Sequence, residues 1–209
     1  MAHFPLYIEL NNKPCLIVGG GSVAARKAGV LLSFGAKVTV VSHSFCEELE
    51  GLPVNKIQGD FTFECLAGRE LVVAATSDTV LNHEIATWCK ERGVYVNSAT
   101  SKMDSTFLFP AVVQKEGITI GITSEGKSPA VTRQIRKQIE RCIPDRLEER
   151  LEELERIREL VKEQVPDQLV RKEIFYELIR IGIEQQESIT IEVTNQVIDK
   201  VMKEYEHSD

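Results

Sequence analysis

The sequence predicts an α/β protein in which a doubly wound parallel sheet is followed by a small strand–helix region and an all-helical C-terminal domain. Two observations predict the sheet: apolar runs alternate with helical segments, and the first run leads into a cluster of three glycines. A third observation, the helical spacing of apolar residues from Pro144 onward, predicts the C-terminal helices. We expect the domains to span 1–113, 114–143 and 144–209.

The glycine cluster lies between the first predicted strand, Cys15–Val18, and the first predicted helix, 23–34. Gly19, Gly21 and Ala24 have the spacing of the dinucleotide-binding fingerprint, with alanine at the third position. Such small residues allow a tight turn, a close approach of the backbone to a pyrophosphate, and close packing of helix on strand. The helix N-terminus would then hold the phosphates, so we predict a Rossmann-type dinucleotide-binding domain. A glycine turn that binds nothing is the alternative.

The rest of the sheet follows along the chain. Leu71–Ala75 is a continuous apolar run, which is typical of a strand buried on both faces of a parallel sheet. Phe4–Leu10 alternates in polarity and is expected to lie against the edge of the first strand. The other predicted strands are 37–41, 54–57 and 94–97, and the predicted helices are 47–49, 62–67 and 79–92.

After the sheet the pattern changes. Phe107–Val113 and Ile118–Thr123 resemble strands, and the short segment between them leaves no room for a helix, so we expect an antiparallel pair. Ser128 is a suitable N-cap and Pro129 suits a first helical turn, which predicts a helix running to about Cys142.

Composition and charge narrow the class of protein. Hydrophobic residues make up 43% and charged residues 27%, and no apolar run approaches the ~20 residues of a membrane span. Without a visible signal peptide, and with five widely spaced cysteines that form no Cys-x-x-Cys, we expect a cytoplasmic protein with reduced thiols and no metal site. Residues 144–209 hold 18 acidic and 10 basic residues, so the net charge of −7 belongs to this third and argues against nucleic acid as a partner.

Small polar residues follow the predicted strands, at the edge where parallel sheets bind ligands. No Asp or Glu occurs at 38–44 and no Lys or Arg at 42–46, so the sequence favours NAD only slightly over NADP. Ser42, His43 or Ser44 would then contact the adenosine ribose. The candidate cofactor-binding residues are Gly19, Gly21, Ser22, Val23, Ser42, His43, Ser44, Thr76, Ser77 and Asn97.

A second candidate site is basic. Between 127 and 142 five basic residues accompany one acidic residue, and the predicted helix N-terminus at Ser128 lies at the same place. This combination is suited to a polyanionic small molecule, and a solvated helix face is the alternative. The candidate substrate-binding residues are Ser124, Lys127, Ser128, Arg133 and Arg136.

Several stretches together resemble the siroheme synthase family, specifically its precorrin-2 dehydrogenase part. They are Phe4–Tyr7, Val18–Lys27, Ala74–Asp78 with Leu81 and Asn82, Val96–Asn97, Phe107–Ala111, and Thr123–Pro129 with Arg133 and Arg136. The resemblance implies a homodimer in which an NAD domain is followed by a dimerisation region and a helical domain. It also implies NAD-dependent oxidation of precorrin-2, which carries eight carboxylates, to sirohydrochlorin in siroheme or cobalamin biosynthesis.

Some members of that family also insert iron, and a single aspartate after the fifth strand is tied to both activities. Thr100 stands at that position here, and a threonine cannot act as an anionic base. The nearest acid is Asp104, which we predict as the catalytic residue, in a loop, 98–105, that is expected to be flexible; solvent is the other proton acceptor. The simplest hypothesis is a dehydrogenase with a separate chelatase downstream. The alternatives are a bifunctional dehydrogenase and ferrochelatase, and a non-catalytic NAD-sensing module.

Overall fold

A computed structural model describes residues 3–206 of the chain. The chain divides into two compact units, Met1–Phe109 and Pro110–Asp209, which are described separately below. Within the described residues, no helix is long and apolar enough to cross a membrane.

The first unit is built on a five-stranded parallel sheet with the strand order β3-β2-β1-β4-β5. Its predicted strands and helices are all present, with ends that differ by at most one residue, although 62–67 proves to be a 3₁₀ turn at Phe63–Leu66. The Rossmann-type prediction is therefore confirmed. The strands are β1 Pro14–Val18, β2 Lys37–Ser42, β3 Asn55–Gln58, β4 Leu71–Ala74 and β5 Tyr95–Ser98, and the helices are α1 Ser22–Ser33, α2 Glu47–Glu50 and α3 Thr79–Glu91.

The strand order reverses at β1, because the chain first builds outward through β2 and β3 and then returns to place β4 on the other side. Ligands of open α/β sheets bind at the carboxyl ends of the strands beside such a reversal. The central position of β1 also shows that one expectation was wrong. Both of its edges are occupied by β2 and β4, so Phe4–Leu10 cannot pair there; the segment forms no strand, and Phe4 is 87% exposed.

The sheet separates two apolar clusters, one on each face. In β4, Leu71 and Val73 belong to the cluster that contains α1, whereas Val72 and Ala74 belong to the cluster beneath α3. Alternate side chains of a strand point to opposite faces, so the apolar run of β4 is buried on both, as predicted.

A buried lysine joins three parts of the first unit. Lys27 on α1 donates a hydrogen bond to Oδ1 of Asn97 on β5 (2.6 Å), and its Nζ lies 4.0 Å from the ring centroid of Phe109. The Asn97 amide in turn donates to the Phe107 carbonyl (3.0 Å). Burial, and secondarily the charge of Arg26, lowers the pKa of Lys27 to about 8.

The second unit begins with a hairpin and continues as helices. The predicted antiparallel pair is present, but its first strand starts at Ala111 rather than Phe107, because Phe107 and Phe109 pack into the core of the first unit. The predicted boundary after 113 therefore falls inside a strand. The elements are β6 Ala111–Lys115, β7 Ile118–Ile122, α4 Pro129–Cys142, α5 Leu147–Gln164, α6 Gln168–Ile179, a π-helical turn Arg180–Glu184, and α7 Ile191–Glu206.

Apolar residues hold the hairpin to the helices that follow it. Val113 on β6 shares a buried cluster with Ile143 and Leu147 at the start of α5, while α5, α6 and α7 enclose a larger core. The helical character predicted from Pro144 onward is confirmed. A separate domain beginning at 144 stays a prediction, since this cluster spans that position.

Replacing Lys27 with methionine should change how stability depends on pH. The folded-state pKa of Lys27, about 8, lies below its ordinary value of 10.5. Between these values the unfolded chain binds more protons, so this group makes the free energy of unfolding rise with pH. We expect the wild type to gain roughly 1–3 kcal/mol relative to Lys27→Met between pH 8 and 10.5. Urea unfolding followed by circular dichroism would measure it.

The methionine variant also leaves Oδ1 of Asn97 without its donor, which adds a constant offset of about 1–3 kcal/mol that does not alter the slope. Lys37→Met, at an exposed lysine, is the matched control and should run parallel to the wild type. Parallel profiles for Lys27→Met as well would contradict the account of a desolvated ammonium group.

Candidate cofactor and active site

The glycine turn between β1 and α1 depends on the absence of side chains. Gly19 has φ +122°, and a Cβ there would collide with the Ala75 carbonyl that follows β4. A Cβ on Gly20 would collide with the Ser44 carbonyl that follows β2. The turn therefore packs closely against the ends of β2 and β4, the two strands that flank β1. Gly20 occupies a variable position of the fingerprint, so sequence reasoning did not single it out.

The third glycine has a different role. A Cβ on Gly21 would meet no atom of the described residues within 4 Å, so the space above the helix start is open among them. Within residues 3–206 no side chain caps α1, and its first backbone hydrogen bond runs from the Ala25 N–H to the Gly21 carbonyl (3.0 Å). The N–H groups of Ser22 and Val23 therefore have no partner within the helix, and with the helix dipole they form an anion site. This open, donor-lined turn fits the pyrophosphate of a dinucleotide.

The segment after β2 lies directly beside this turn. The Cys46 N–H donates to the Gly20 carbonyl (2.8 Å), which holds Ser42, His43 and Ser44 at the same edge of the sheet as the anion site. These are the residues predicted to contact the adenosine ribose.

A carboxylate that the sequence analysis missed stands next to them. Nε2 of His43 lies 3.1 Å from Oδ1 of Asp60, and the Gln58 side chain donates to the His43 carbonyl (3.1 Å). Asp60 follows β3, not β2. Only the pairing of β2 with β3 brings this acid to the end of β2, so no spacing rule along the chain could have found it.

The ends of β4 and β5 are joined by a buried asparagine. Oδ1 of Asn82 accepts hydrogen bonds from the Thr76 hydroxyl (2.8 Å) and the Thr76 N–H (3.1 Å). Its Nδ2 donates to the Thr76 carbonyl (3.0 Å) and to the Thr100 hydroxyl (3.3 Å). Asn82 thereby links the start of α3 to the ends of both strands. Ser77 is exposed in the turn between β4 and α3.

Asn97 lies deeper than expected for a cofactor contact. It is 5% exposed, and its amide is engaged by Lys27 and the Phe107 carbonyl, as described above. The side chain organises the interior beneath the carboxyl edge. The sequence indicates that Asn97 ends a strand but not which way its amide points.

Asp104 is bound to α3. Its Oδ1 lies 2.9 Å from Nδ1 of His83 and 4.0 Å from Nζ of Lys90, and its side chain is 15% exposed. Partial burial acts to raise the pKa of Asp104, but hydrogen bonds from His83 and Ser101 and the nearby positive charges outweigh it, and the pKa is lowered. The carboxylate is therefore ionised at neutral pH.

The loop that carries Asp104, expected to be flexible, is hydrogen-bonded to β5. The Thr106 N–H donates to the Val96 carbonyl (2.8 Å), and the Val96 N–H donates to the Thr106 hydroxyl (2.9 Å). The Ser98 N–H donates to the Ser105 hydroxyl (3.0 Å). The catalytic role of Asp104 stays a prediction.

The basic site of the second unit is a compact loop before α4. The Ser128 hydroxyl accepts from the Val131 N–H (3.4 Å), so Ser128 is the N-cap as predicted. Ser124 accepts from the Ser128 N–H (3.1 Å) and from the Thr132 hydroxyl (3.0 Å), which closes the loop. Lys127 and Arg133 are exposed, whereas Arg136 pairs with Glu140 (3.0 Å).

An open parallel sheet whose glycine turn and helix N-terminus meet at the strand-order reversal defines a Rossmann-type nucleotide-binding protein. Comparison with protein families makes the assignment specific. A model described as NAD(P)-binding matches residues 6–111, about half of the chain, and the chain belongs to this family. A second model, described as the central part of a sirohaem biosynthesis protein, matches residues 116–141.

The relatives agree with these matches. The chain is 38% identical over 140 residues to the siroheme synthase of Photorhabdus laumondii and 39% identical over 138 residues to that of Tolumonas auensis. Each alignment covers 65% of this chain, which spans only about 30% of the length of these curated relatives. A solved structure titled "SirC, precorrin-2 dehydrogenase" has a TM-score of 0.67 over 96% of this chain and 100% of its own, at 22% identity, and shares the fold.

Replacing Gly21 with alanine should weaken cofactor binding without unfolding the protein. The new methyl group would meet no protein atom, but it would stand in the open space above the helix start where a pyrophosphate must approach. We expect at least a roughly 10-fold rise in the Kd for the nicotinamide cofactor, measured by calorimetry. The melting temperature should fall by only a few degrees, because alanine is a poorer N-cap than glycine.

Gly29→Ala is the matched control, because this glycine lies further along α1 and its Cβ would also meet nothing within 4 Å. It should leave the Kd unchanged and stabilise the helix by about 0.5–1 kcal/mol. Equal Kd values for Gly21→Ala and the wild type would show that the pyrophosphate lies elsewhere.

Proposed function

We propose that this chain is an NAD-dependent dehydrogenase that oxidises precorrin-2 to sirohydrochlorin. The observation that carries the proposal is the open, donor-lined glycine turn in a chain whose next segment, 116–141, matches the sirohaem biosynthesis model. The names of the relatives and of the structural neighbour support the same chemistry.

Different residues of the first unit bind different parts of the cofactor. The N–H groups of Ser22 and Val23 bind the pyrophosphate, and the segment Ser42–Ser44 borders the adenosine ribose. When bound, the nicotinamide accepts a hydride from the substrate. Thr76, held by Asn82, lies at the end of β4, on the side of the reversal where the nicotinamide half of a dinucleotide extends.

The substrate is a polycarboxylate, and the start of α4 suits it. The helix has 14 residues, its N-terminus is capped by Ser128, and the exposed side chains of Lys127 and Arg133 add two positive charges. Arg136 contributes less, because Glu140 already neutralises it. A helix N-terminus with adjacent cations favours carboxylate binding.

The preference for NAD over NADP rests on Asp60. Its carboxylate beside His43 stands at the end of β2, where dinucleotide-binding proteins that use NAD place an acid against the ribose 2′-hydroxyl. The same negative charge repels the 2′-phosphate of NADP. Here the acid comes from the segment that follows the neighbouring strand β3.

Asp60→Asn should therefore reduce the preference for NAD over NADP. Removing the charge abolishes repulsion of the 2′-phosphate and weakens the hydrogen bond to the 2′-hydroxyl, so the ratio of Kd for NADP to Kd for NAD should fall by roughly 10-fold or more. Fluorescence titration of both reduced cofactors would measure the ratio. Glu64→Gln, an exposed acid on the following 3₁₀ turn, is the control and should leave it unchanged. An unaltered ratio in Asp60→Asn would remove this residue from cofactor selection.

We also propose that metal insertion falls to a separate chelatase. Thr100 stands where the resemblance places an aspartate, and its hydroxyl is already bonded to Asn82 and near Ser98 (3.2 Å). A homodimer and a cytoplasmic location complete the proposal.

Anaerobic incubation with precorrin-2 and NAD, followed by the absorbance of sirohydrochlorin, tests the function. We expect product only when NAD is present, and no acceleration of siroheme formation when ferrous iron is added. The double variant Lys127→Gln/Arg133→Gln should raise KM for precorrin-2 several-fold while the Kd for NAD stays constant, because it removes two charges from the substrate site.

Each other outcome has a definite meaning. Rapid siroheme formation would support the bifunctional alternative. Absence of turnover with intact NAD binding would favour the non-catalytic NAD-sensing module.

A further inference from the structure

We propose that His83 is the catalytic base of this chain, with its Nε2 accepting the proton that the substrate releases, and that Asp104 is its positioning residue. This inference rests on the proposed dehydrogenase function. It changes the role predicted from the sequence, in which Asp104 itself takes the proton.

The hydrogen bond between the two side chains defines their roles. Nδ1 of His83 lies 2.9 Å from Oδ1 of Asp104. An ionised carboxylate only accepts hydrogen bonds, so Nδ1 of the neutral imidazole carries the hydrogen and Nε2 keeps its lone pair. His83 is 64% exposed through its side chain, whereas Asp104 is largely covered. The base therefore faces solvent and the carboxylate lies behind it, the arrangement by which a carboxylate orients a catalytic histidine.

His83 lies near the carboxyl edge of the sheet, which is the edge where the cofactor is proposed to bind. Helix α3 starts at the carboxyl end of β4, where the Asp78 side chain accepts from the Val80 and Leu81 N–H groups (2.8 and 3.1 Å). His83 follows one turn later. Its neighbour Asn82 reaches Thr100, and His83 itself reaches Asp104, so both face the loop after β5. His83 and Asp104, called the dyad below, thus lie between α3 and the loop that also carries Thr100.

The competing groups are poorer bases. Thr100 cannot carry an anionic charge near neutral pH. Asp104 accepts hydrogen bonds from the side chains of His83 and Ser101, and its lowered pKa makes it a weak proton acceptor. Lys90 completes the charged groups around the dyad; it lies 4.0 Å from Asp104 and donates to the Met103 carbonyl (2.8 Å).

The reaction releases one proton, which such a group can accept. Oxidation of precorrin-2 by two electrons removes a hydride, which carries both electrons to the nicotinamide, and one proton, which carries none. In the proposal two substrate bonds to hydrogen break. One releases the hydride with its electron pair, and the other releases the proton and leaves its electron pair in the new double bond of the product. The proton forms the N–H bond at Nε2, and the resulting imidazolium is stabilised by the Asp104 carboxylate. His83 then releases the proton to solvent, which restores the lone pair at Nε2.

The central test compares His83→Asn with the wild type. The asparagine amide nitrogen can occupy the place of Nδ1 and keep the hydrogen bond to Asp104, but it offers no base. We expect kcat to fall on the order of 100-fold, with KM for NAD and the melting temperature unchanged. Glu84→Gln, at the adjacent exposed position of α3, should retain full activity.

A second readout does not depend on turnover. Nitrogen-15 NMR of the free protein should show His83 as the Nδ1–H tautomer, and Asp104→Asn should shift the population toward Nε2–H while kcat falls at least about 10-fold. Wild-type kcat in His83→Asn, or an Nε2–H tautomer in the wild type, would overturn the inference and leave the dehydrogenase intact. An inactive wild type that binds NAD would overturn both.

Discussion

The first unit depends on one close approach: the glycine turn after β1 passes between the carbonyls of Ala75 and Ser44 with no room for a side chain. That contact brings the ends of β4 and β2 against the turn that precedes α1. Because the helix start has no side-chain cap, its N–H groups stay available to an anion at this junction.

Hydrogen bonds then extend this junction along the edge of the sheet. On one side, Gln58 draws the end of β3 to His43, which places the Asp60 carboxylate beside the segment after β2. On the other, Asn82 binds both Thr76 and Thr100, which joins β4, α3 and the loop after β5. An asparagine suits this hub because one amide offers two donors and an acceptor at once. Both extensions are made across strands, not along the chain.

The two candidate sites obtain their positive potential from different groups. At the glycine turn the positive potential comes from backbone N–H groups and the helix dipole, which suits a pyrophosphate. At the start of α4 it comes from side chains added to a capped helix N-terminus, which suits a ligand with many carboxylates. The acidic character of 144–209 leaves this basic segment as the main positive patch of its unit's sequence.

The sequence by itself determined which segments form the sheet, where the dinucleotide turn lies, and where the basic helix begins. These follow from local rules: apolar runs, glycine spacing and an N-cap act over a few residues. It did not determine that Phe107–Phe109 belongs to the core of the first unit, that the Asn97 amide turns inward to Lys27, or that Asp60 and His83 join the carboxyl edge. Those depend on which strands become neighbours and on which buried polar groups find partners. Such pairings link residues up to 70 positions apart, and only the tertiary structure can decide them.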